Sequence, residues 1–304
     1  MSINVGDLNA IPEPESGRIS PGFIAAKLRT VGRFVRRKPL GAVGAIMLLV
    51  MIVMGLVAPV LAPYNPLEFH TDDTFTKPNT TYLLGTDDKG RDILSRIMYG
   101  AQISLRVGAV AVGIGTTFGL ILGLVSGYLG GRFDFFVQRV VDSFQAFPAL
   151  FLALAVTTAL GRSVLNVGLA LAIVTWPSAS RVIRSSVLSH KTAMYVEAAR
   201  SIGAETPRIL VRHILPNIIS IYIVLATAGL AQAILVEASL SFLGVGVPPP
   251  EPSWGAMLLE AQRSAVRAPW MAIFPGIAIT VAVFGFNLFG DALRDFLDPR
   301  LRGR

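Results

Sequence analysis

The chain has 304 residues, 53% of them hydrophobic and only 15% charged, with a formal net charge of +8. A soluble domain of this size cannot hide so much apolar surface, so the expected solvent is the lipid bilayer. The absence of cysteine excludes disulfides and Cys-ligated metals, and His70, His190 and His213 are too scattered for a metal site.

Residues 1–22 carry Pro12, Pro14 and Pro21 without apolar periodicity and read as a disordered cytoplasmic tail. Over 23–39, Ile24, Leu28, Val31 and Val35 recur at helical spacing among Lys27, Arg29, Arg33, Arg36, Arg37 and Lys38. That pattern predicts a basic amphipathic helix lying on an anionic membrane face. The long apolar run that follows has no small-residue cleavage site, which disfavours a secretory signal. Residues 40–62 are the first predicted span, and 63–103 form a polar external loop with room for a small folded excursion.

Residues 104–290 hold five more predicted spans: Ser104–Tyr128, Phe144–Leu160, Val164–Ser178, Asn217–Leu240 and Met271–Phe289. The third and fourth of the six are short and read as a tight pair joined at Gly161-Arg162-Ser163. Residues 291–304 are a C-terminal tail. With six spans both ends lie on one side. Of the 27 Lys and Arg, 19 fall in segments on the N-terminal side and 7 on the other, which puts both termini in the cytoplasm. Basic residues in blocks between spans fit topology control, not the stripe of a nucleic-acid binder.

Within Leu84–Asp92 the carboxylates lack the EF-hand spacing, so a turn and a capped helix are expected, with Asp92 and Arg96 paired at i,i+4. In the next span Gly115, Gly119, Gly123 and Gly127 form a four-residue ridge suited to close helix packing. Arg106 and Glu237 fall near outer span ends, where snorkelling explains them. The other mid-span polar groups are mild, such as Thr116, Thr117, Thr227 and Gln232. This is not the buried Asp, Glu or His relay of an ion-driven carrier. The Pro-rich segment Val245–Gly255 reads either as a structural strap or as a docking surface for an outside partner.

The segment Thr192–Pro216, inside the loop 179–216, is polar and charged between apolar runs. Thr192 is placed to cap a short helix ending near Ile202, and Gly203 to end it in a left-handed turn. Thr206-Pro207 restarts a helix, and Leu215-Pro216 marks a second break. The expected product is a rigid helical elbow projecting from the membrane, shaped to dock on another protein. A solute mover without an internal ion relay needs energy from outside the membrane, and the elbow is the natural entry point. No Gly-x-x-x-x-Gly-Lys-[Ser/Thr] loop is present, so this chain does not hydrolyse nucleotide through that motif.

Glu197-Ala198-Ala199, Gly203 and Leu215-Pro216 stand at the spacing Glu-Ala-Ala, three residues, Gly, nine residues, Ile, one residue, Leu-Pro, with His213 at the Ile position and Ile214 beside it. On these residues the chain resembles the membrane subunits of ABC importers. Leu84–Arg96, Ser126–Gly131, Arg212–Asn217, Glu237–Gly244, Pro252–Met257 and Asn287–Arg300 make it similar to the peptide/nickel group, on the branch of dipeptide and oligopeptide permease C proteins. The resemblance implies an all-α, MetI-like integral membrane fold with six transmembrane helices in the bacterial inner membrane. It implies no catalytic, metal or cofactor site in this chain. ATP and Mg are bound instead by two partner ATPase subunits, beside a homologous second permease and an extracytoplasmic binding protein that delivers di- or oligopeptides. It further implies that Glu197, Ala198, Ala199 and Gly203 form the coupling contact with an ATPase cleft. The competing reading is a self-sufficient secondary carrier or channel in which the elbow is only a structured loop. An intramembrane enzyme is disfavoured, because the spans hold no paired Asp, His cluster or Ser/His set.

Overall fold

The computed structural model describes residues 38–297. The predicted tail 1–22, almost all of the predicted amphipathic helix 23–39 and the end of the tail 291–304 lie outside the described residues. The described chain is helical: α1 (Pro39–Leu61), α2 (Ile93–Leu129), α3 (Gly131–Gln145), α4 (Ala149–Leu160), α5 (Val164–Lys191), α6 (Met194–Ser201), α7 (Thr206–Phe242), α8 (Trp254–Ala261) and α9 (Trp270–Leu297). Among the described residues the nearest thing to a strand is one isolated bridge, Thr86 to Asp92.

By length and apolar character α1, α2, α7 and α9 each suffice to cross a membrane, and α3 with α4, bent by 89°, make a fifth crossing if taken as one. Several boundaries differ from expectation for local reasons. Helix α2 starts at Ile93 rather than Ser104, because the Asp92 carboxylate caps it, accepting from the Ser95 amide at 2.8 Å and the Ser95 hydroxyl at 2.7 Å. Asp92 therefore does not pair with Arg96, as the i,i+4 spacing suggested. The predicted span Phe144–Leu160 is broken before Pro148, which disfavours helix at the residue preceding it. Upstream of that break the expected loop is helix α3. Its Asp134, Val137 and Val141 face inward at helical spacing, and Gly130 and Gly131 make the turn into it at φ of 69° and 60°. Helix α5 runs well past Ser178, to Lys191.

The glycine ridge of α2 packs on α5, as its spacing predicted. A Cβ on Gly115, Gly119 or Gly123 would stand 2.6, 2.6 and 2.5 Å from the carbonyl oxygens of Ala172, Trp176 and Ser180, and Gly127 faces Arg184 O at 3.2 Å. Both series advance by four residues, so α2 and α5 run parallel in one register, backbone against backbone. Helix α7 lies antiparallel to α2: Tyr222 meets Thr117 at 2.9 Å, and Ser104 meets Glu237 at 3.4 Å. Helix α1 is antiparallel to α2, with Gly55 against Ala101 and Gln102 and the Tyr64 amide on Ser95. Helix α9 seats Gly285 on Met47 and Leu48 of α1, and Gly290 on Thr227 of α7.

One end of this bundle is a closed cap, the loop end. Trp254 and Trp270 donate their indole N–H to Ile97 O at 3.0 Å and Thr86 O at 3.1 Å. Gly255 lies so close to Ala238 that a Cβ would meet its carbonyl at 2.2 Å. The Pro-rich segment leads into these contacts, with Pro249, Pro250 and Glu251 exposed. Glu237 corrects the snorkelling reading. It is 0% exposed, and its carboxylate accepts from the hydroxyls of Ser241 at 2.8 Å and Ser104 at 3.4 Å. Arg106 is exposed and lies within α2, thirteen residues after its first residue Ile93.

Candidate functional site

The opposite end of the bundle carries the hairpin. Thr192 closes α5 rather than opening the next helix, and α6 begins after Ala193 with no side-chain cap. The Ala193 carbonyl still collects the Val196 and Glu197 amides at 2.9 and 3.2 Å. At the other end of α6 the Gly203 amide donates to Arg200 O at 2.9 Å, and the Ala204 amide to Ala199 O at 3.0 Å. With Gly203 at φ 78° this is a Schellman turn, and the left-handed residue is the glycine that the sequence placed there. Glu205, one residue before the expected Thr206, precedes the next helix.

That helix does not break at Leu215-Pro216. Residues Ile209–Ile214 form a π-helical turn, in which the Leu215 amide reaches back to Leu210 O. The wider turn eases the clash that Pro216 would cause in a regular helix, and α7 continues to Phe242. The Asn217 side-chain amide donates to His213 O at 2.6 Å.

Two inward residues anchor α6. Val196 and Ala199, 0% and 4% exposed, join an apolar cluster with Leu120, Leu124 and Tyr128 of α2, Ile183 and Val187 of α5, and Ile209 and Ile214 of α7. The outward face carries Glu197 and Ala198, with Gly203 at the turn. Among the described residues nothing lies within 4 Å of the position a Cβ on Gly203 would take. Of the four residues singled out by spacing, three are therefore open to a partner, and Ala199 holds the helix down from beneath. The same face exposes Met194 and Ile202, at 85% and 86%. Sequence reasoning passed over both. The available signal was a large apolar residue at the start of the short helix and another just past its end.

Several of the surrounding charges are bonded within the chain. Arg184 grips Asp134 with Nε at 2.6 Å and Nη2 at 2.5 Å, and Arg181 reaches Asp142 at 2.5 Å, so α3 is tied to α5. Arg200 of α6 donates from Nε to the Tyr128 hydroxyl at 3.3 Å. Among the described residues no cluster of His, Asp or Glu is arranged to hold a metal ion. The surface offers an exposed helix and a rigid turn.

Comparison with known proteins agrees with this architecture. Residues 119–303 match the family described as binding-protein-dependent transport system inner membrane component. Residues 28–79 match the N-terminal TM domain of oligopeptide transport permease C. The dipeptide transport system permease protein DppC of Alkalihalophilus pseudofirmus is 39% identical over 292 residues, covering 96% of each chain. The glutathione transport system permease protein GsiD of Escherichia coli O6:K15:H31 is 41% identical over 297 residues, covering 97% of this chain and 96% of its own. The chain belongs to the family of binding-protein-dependent transport system inner membrane components, the permease subunits of ABC importers.

Proposed function

We propose that this permease subunit crosses the bacterial inner membrane six times with both termini cytoplasmic, and that it passes small peptides inward when ATPase subunits bound at the hairpin hydrolyse ATP. The observation that carries the coupling role is the exposed face of α6, held rigidly on the helix bundle by Val196, Ala199 and the Gly203 turn. Glu197 and Ala198 supply the docking face, Ala199 fixes its height, and Gly203 gives the return without a protruding side chain.

Helix direction supports the count of six. Gly127 lies opposite Arg184 and Gly168 opposite Val107 and Val110, so α2 and α5 point the same way. Between them the chain must climb back along roughly 22 residues of α2, about 33 Å at 1.5 Å per residue. That is close to the roughly 30 Å hydrocarbon thickness. The bent pair α3 and α4 therefore reads as one crossing, and α5, in register beside α2, as another. The placement of 19 of 27 basic residues supports a cytoplasmic hairpin end. Relatives named for dipeptide and glutathione transport support a peptide cargo. A second permease would complete the pathway, and a soluble binding protein would deliver substrate at the loop end.

The chain lacks cysteine, so single introduced thiols report topology cleanly. Cysteines at Lys77 and Val266 should react with an impermeant reagent from outside, and one at Ile202 only after the membrane is opened. Outside labelling of Ile202→Cys would reverse the orientation and remove the hairpin from the ATPases. In the reconstituted four-subunit complex, Gly203→Asp should leave insertion intact and weaken ATPase binding or uncouple hydrolysis from uptake. Ion-driven uptake by this chain alone would instead favour a self-sufficient carrier.

A further inference from the structure

We propose that Tyr128 is the positioning residue that locks the hairpin helix α6 to the α2–α5 shaft, through a clasp with Arg200. The inference rests on the hairpin being the ATPase-coupling element. Tyr128 is the third residue of the Ser126–Gly131 segment and sits in the last turn of α2, 6% exposed. Its ring is flanked by two cations from different elements. The Arg200 guanidinium of α6 lies 5.2 Å from the ring centroid and the Lys191 ammonium of α5 lies 5.7 Å from it. Arg200 also donates to the phenol oxygen at 3.3 Å, across 72 residues of chain.

The other ties of α6 constrain it less. Val196 and Ala199 make apolar contacts, which resist separation but have no direction and allow sliding. The Tyr195 hydroxyl meets His190 Nδ1 at 2.9 Å, only five residues away. The Arg200–Tyr128 contact is directional in two ways, by a hydrogen bond and by the negative face of the ring. It therefore fixes the rotation of α6 about its own axis relative to α2. Just before Tyr128, Gly127 is packed on Val187 of α5, so Tyr128 moves only as the paired helices move. A push on the exposed face of α6 is then delivered to α2 and α5 together. Without the clasp, α6 rolls on its apolar seat, and hydrolysis proceeds with less movement in the membrane.

The test is the number of ATP molecules hydrolysed per substrate taken up, in reconstituted complexes of equal subunit amount. Tyr128→Phe keeps the ring and should stay within about twofold of wild type. Tyr128→Leu keeps apolar volume and loses the ring, and Arg200→Ala removes the cation from an exposed position. Each should raise the ratio roughly threefold or more, the scale of one lost cation–π contact. The double variant should be no worse than either single one. Arg200→Ala lies on the surface and decides the matter even where Tyr128→Leu fails to assemble. A wild-type ratio in Arg200→Ala, or effects that multiply in the double variant, overturns the clasp. Gly203→Asp runs alongside. If it uncouples while Arg200→Ala does not, only the clasp fails. If both behave as wild type, the hairpin reading fails with it.

Discussion

The two ends of the bundle are built on opposite plans. At the loop end one group of charged side chains is turned inward and bonded together. Asp87, 2% exposed, accepts from Arg91 Nε at 2.6 Å and also from Arg96, and both arginines reach Glu260 of α8, at 2.9 and 2.7 Å. At the hairpin end the apolar residues are inward and the tips of α6 stay bare, with Met194 and Ile202 in the open. The loop end pairs most of its buried charge within itself. The hairpin end has an outer face that, among the described residues, is left exposed at Met194, Glu197, Ala198 and Ile202. Membrane depth alone does not require this difference, since both ends meet water. The docking role proposed for α6 would account for it.

The harshest way to break the loop end is to remove Asp87. Two buried guanidinium groups are then left with the half-buried Glu260 and, for Arg91, the exposed Asp88 at 3.8 Å, and Arg96 Nε already lacks a partner. Leaving buried charge uncompensated costs about 3–5 kcal/mol. Asp87→Ala should lower the melting temperature in detergent and open residues 71–92 to protease, while the hairpin stays protected. An unchanged melting temperature would mean that the indole bonds of Trp254 and Trp270, not the ion network, close the cap.

A smaller effect tests the shaft between the ends. Gly119→Ala places a Cβ 2.6 Å from Trp176 O and 2.7 Å from Ala179 Cβ, and neither backbone nor Cβ can swing aside. Overpacking of this kind costs about 1–3 kcal/mol. Gly113→Ala is the control in the same helix, because its Cβ would meet nothing within 4 Å. Gly119→Ala should reduce stability and uptake, and Gly113→Ala should change neither. Equal effects would show that helix propensity, not contact with α5, governs the ridge.

These outcomes track what the sequence made legible. The ridge and Gly203 were readable because a missing side chain at fixed spacing has one physical use, close approach or a left-handed turn. Helix α1 was readable as an uninterrupted apolar run. Helix α3 was not. Its Phe133, Asp134, Phe135 and Arg139 mix charge with aromatic side chains, and only its packing on α5 reveals which face is inside. Glu237 was misjudged because residue type and depth say nothing about rotation, and the hydroxyls that enclose it lie 133 residues back at Ser104 and four ahead at Ser241. Arg96 was assigned to Asp92 by local spacing, whereas its partners are Asp87 and, through tertiary folding, Glu260 on α8. Of the hairpin, the turn was visible in the sequence. The burial of Ala199 and the clasp to Tyr128 depend on which face of α6 meets the bundle.

The smallest predicted effect sharpens the comparison from the loop end. Burial, then the hydrogen bond to Asp73 and its negative charge, push the Tyr82 phenol up from 10.0 to about 12. The phenol donates to Asp73 Oδ2 at 3.0 Å. In the unfolded chain Tyr82 ionises near its ordinary value, so the folded state holds the proton more tightly. Its contribution to stability is complete below about pH 10 and is lost as the pH rises through about 12. Tyr82→Phe removes that hydrogen bond and should cost roughly 1 kcal/mol near neutral pH, since half-buried Asp73 can turn to water. The variant should also lose less stability than wild type between pH 10 and 12, because it has no phenol there to ionise. Hydrogen exchange over residues 71–92 in the two proteins measures both effects. Identical alkaline loosening in both would place the titrating group elsewhere in the cap.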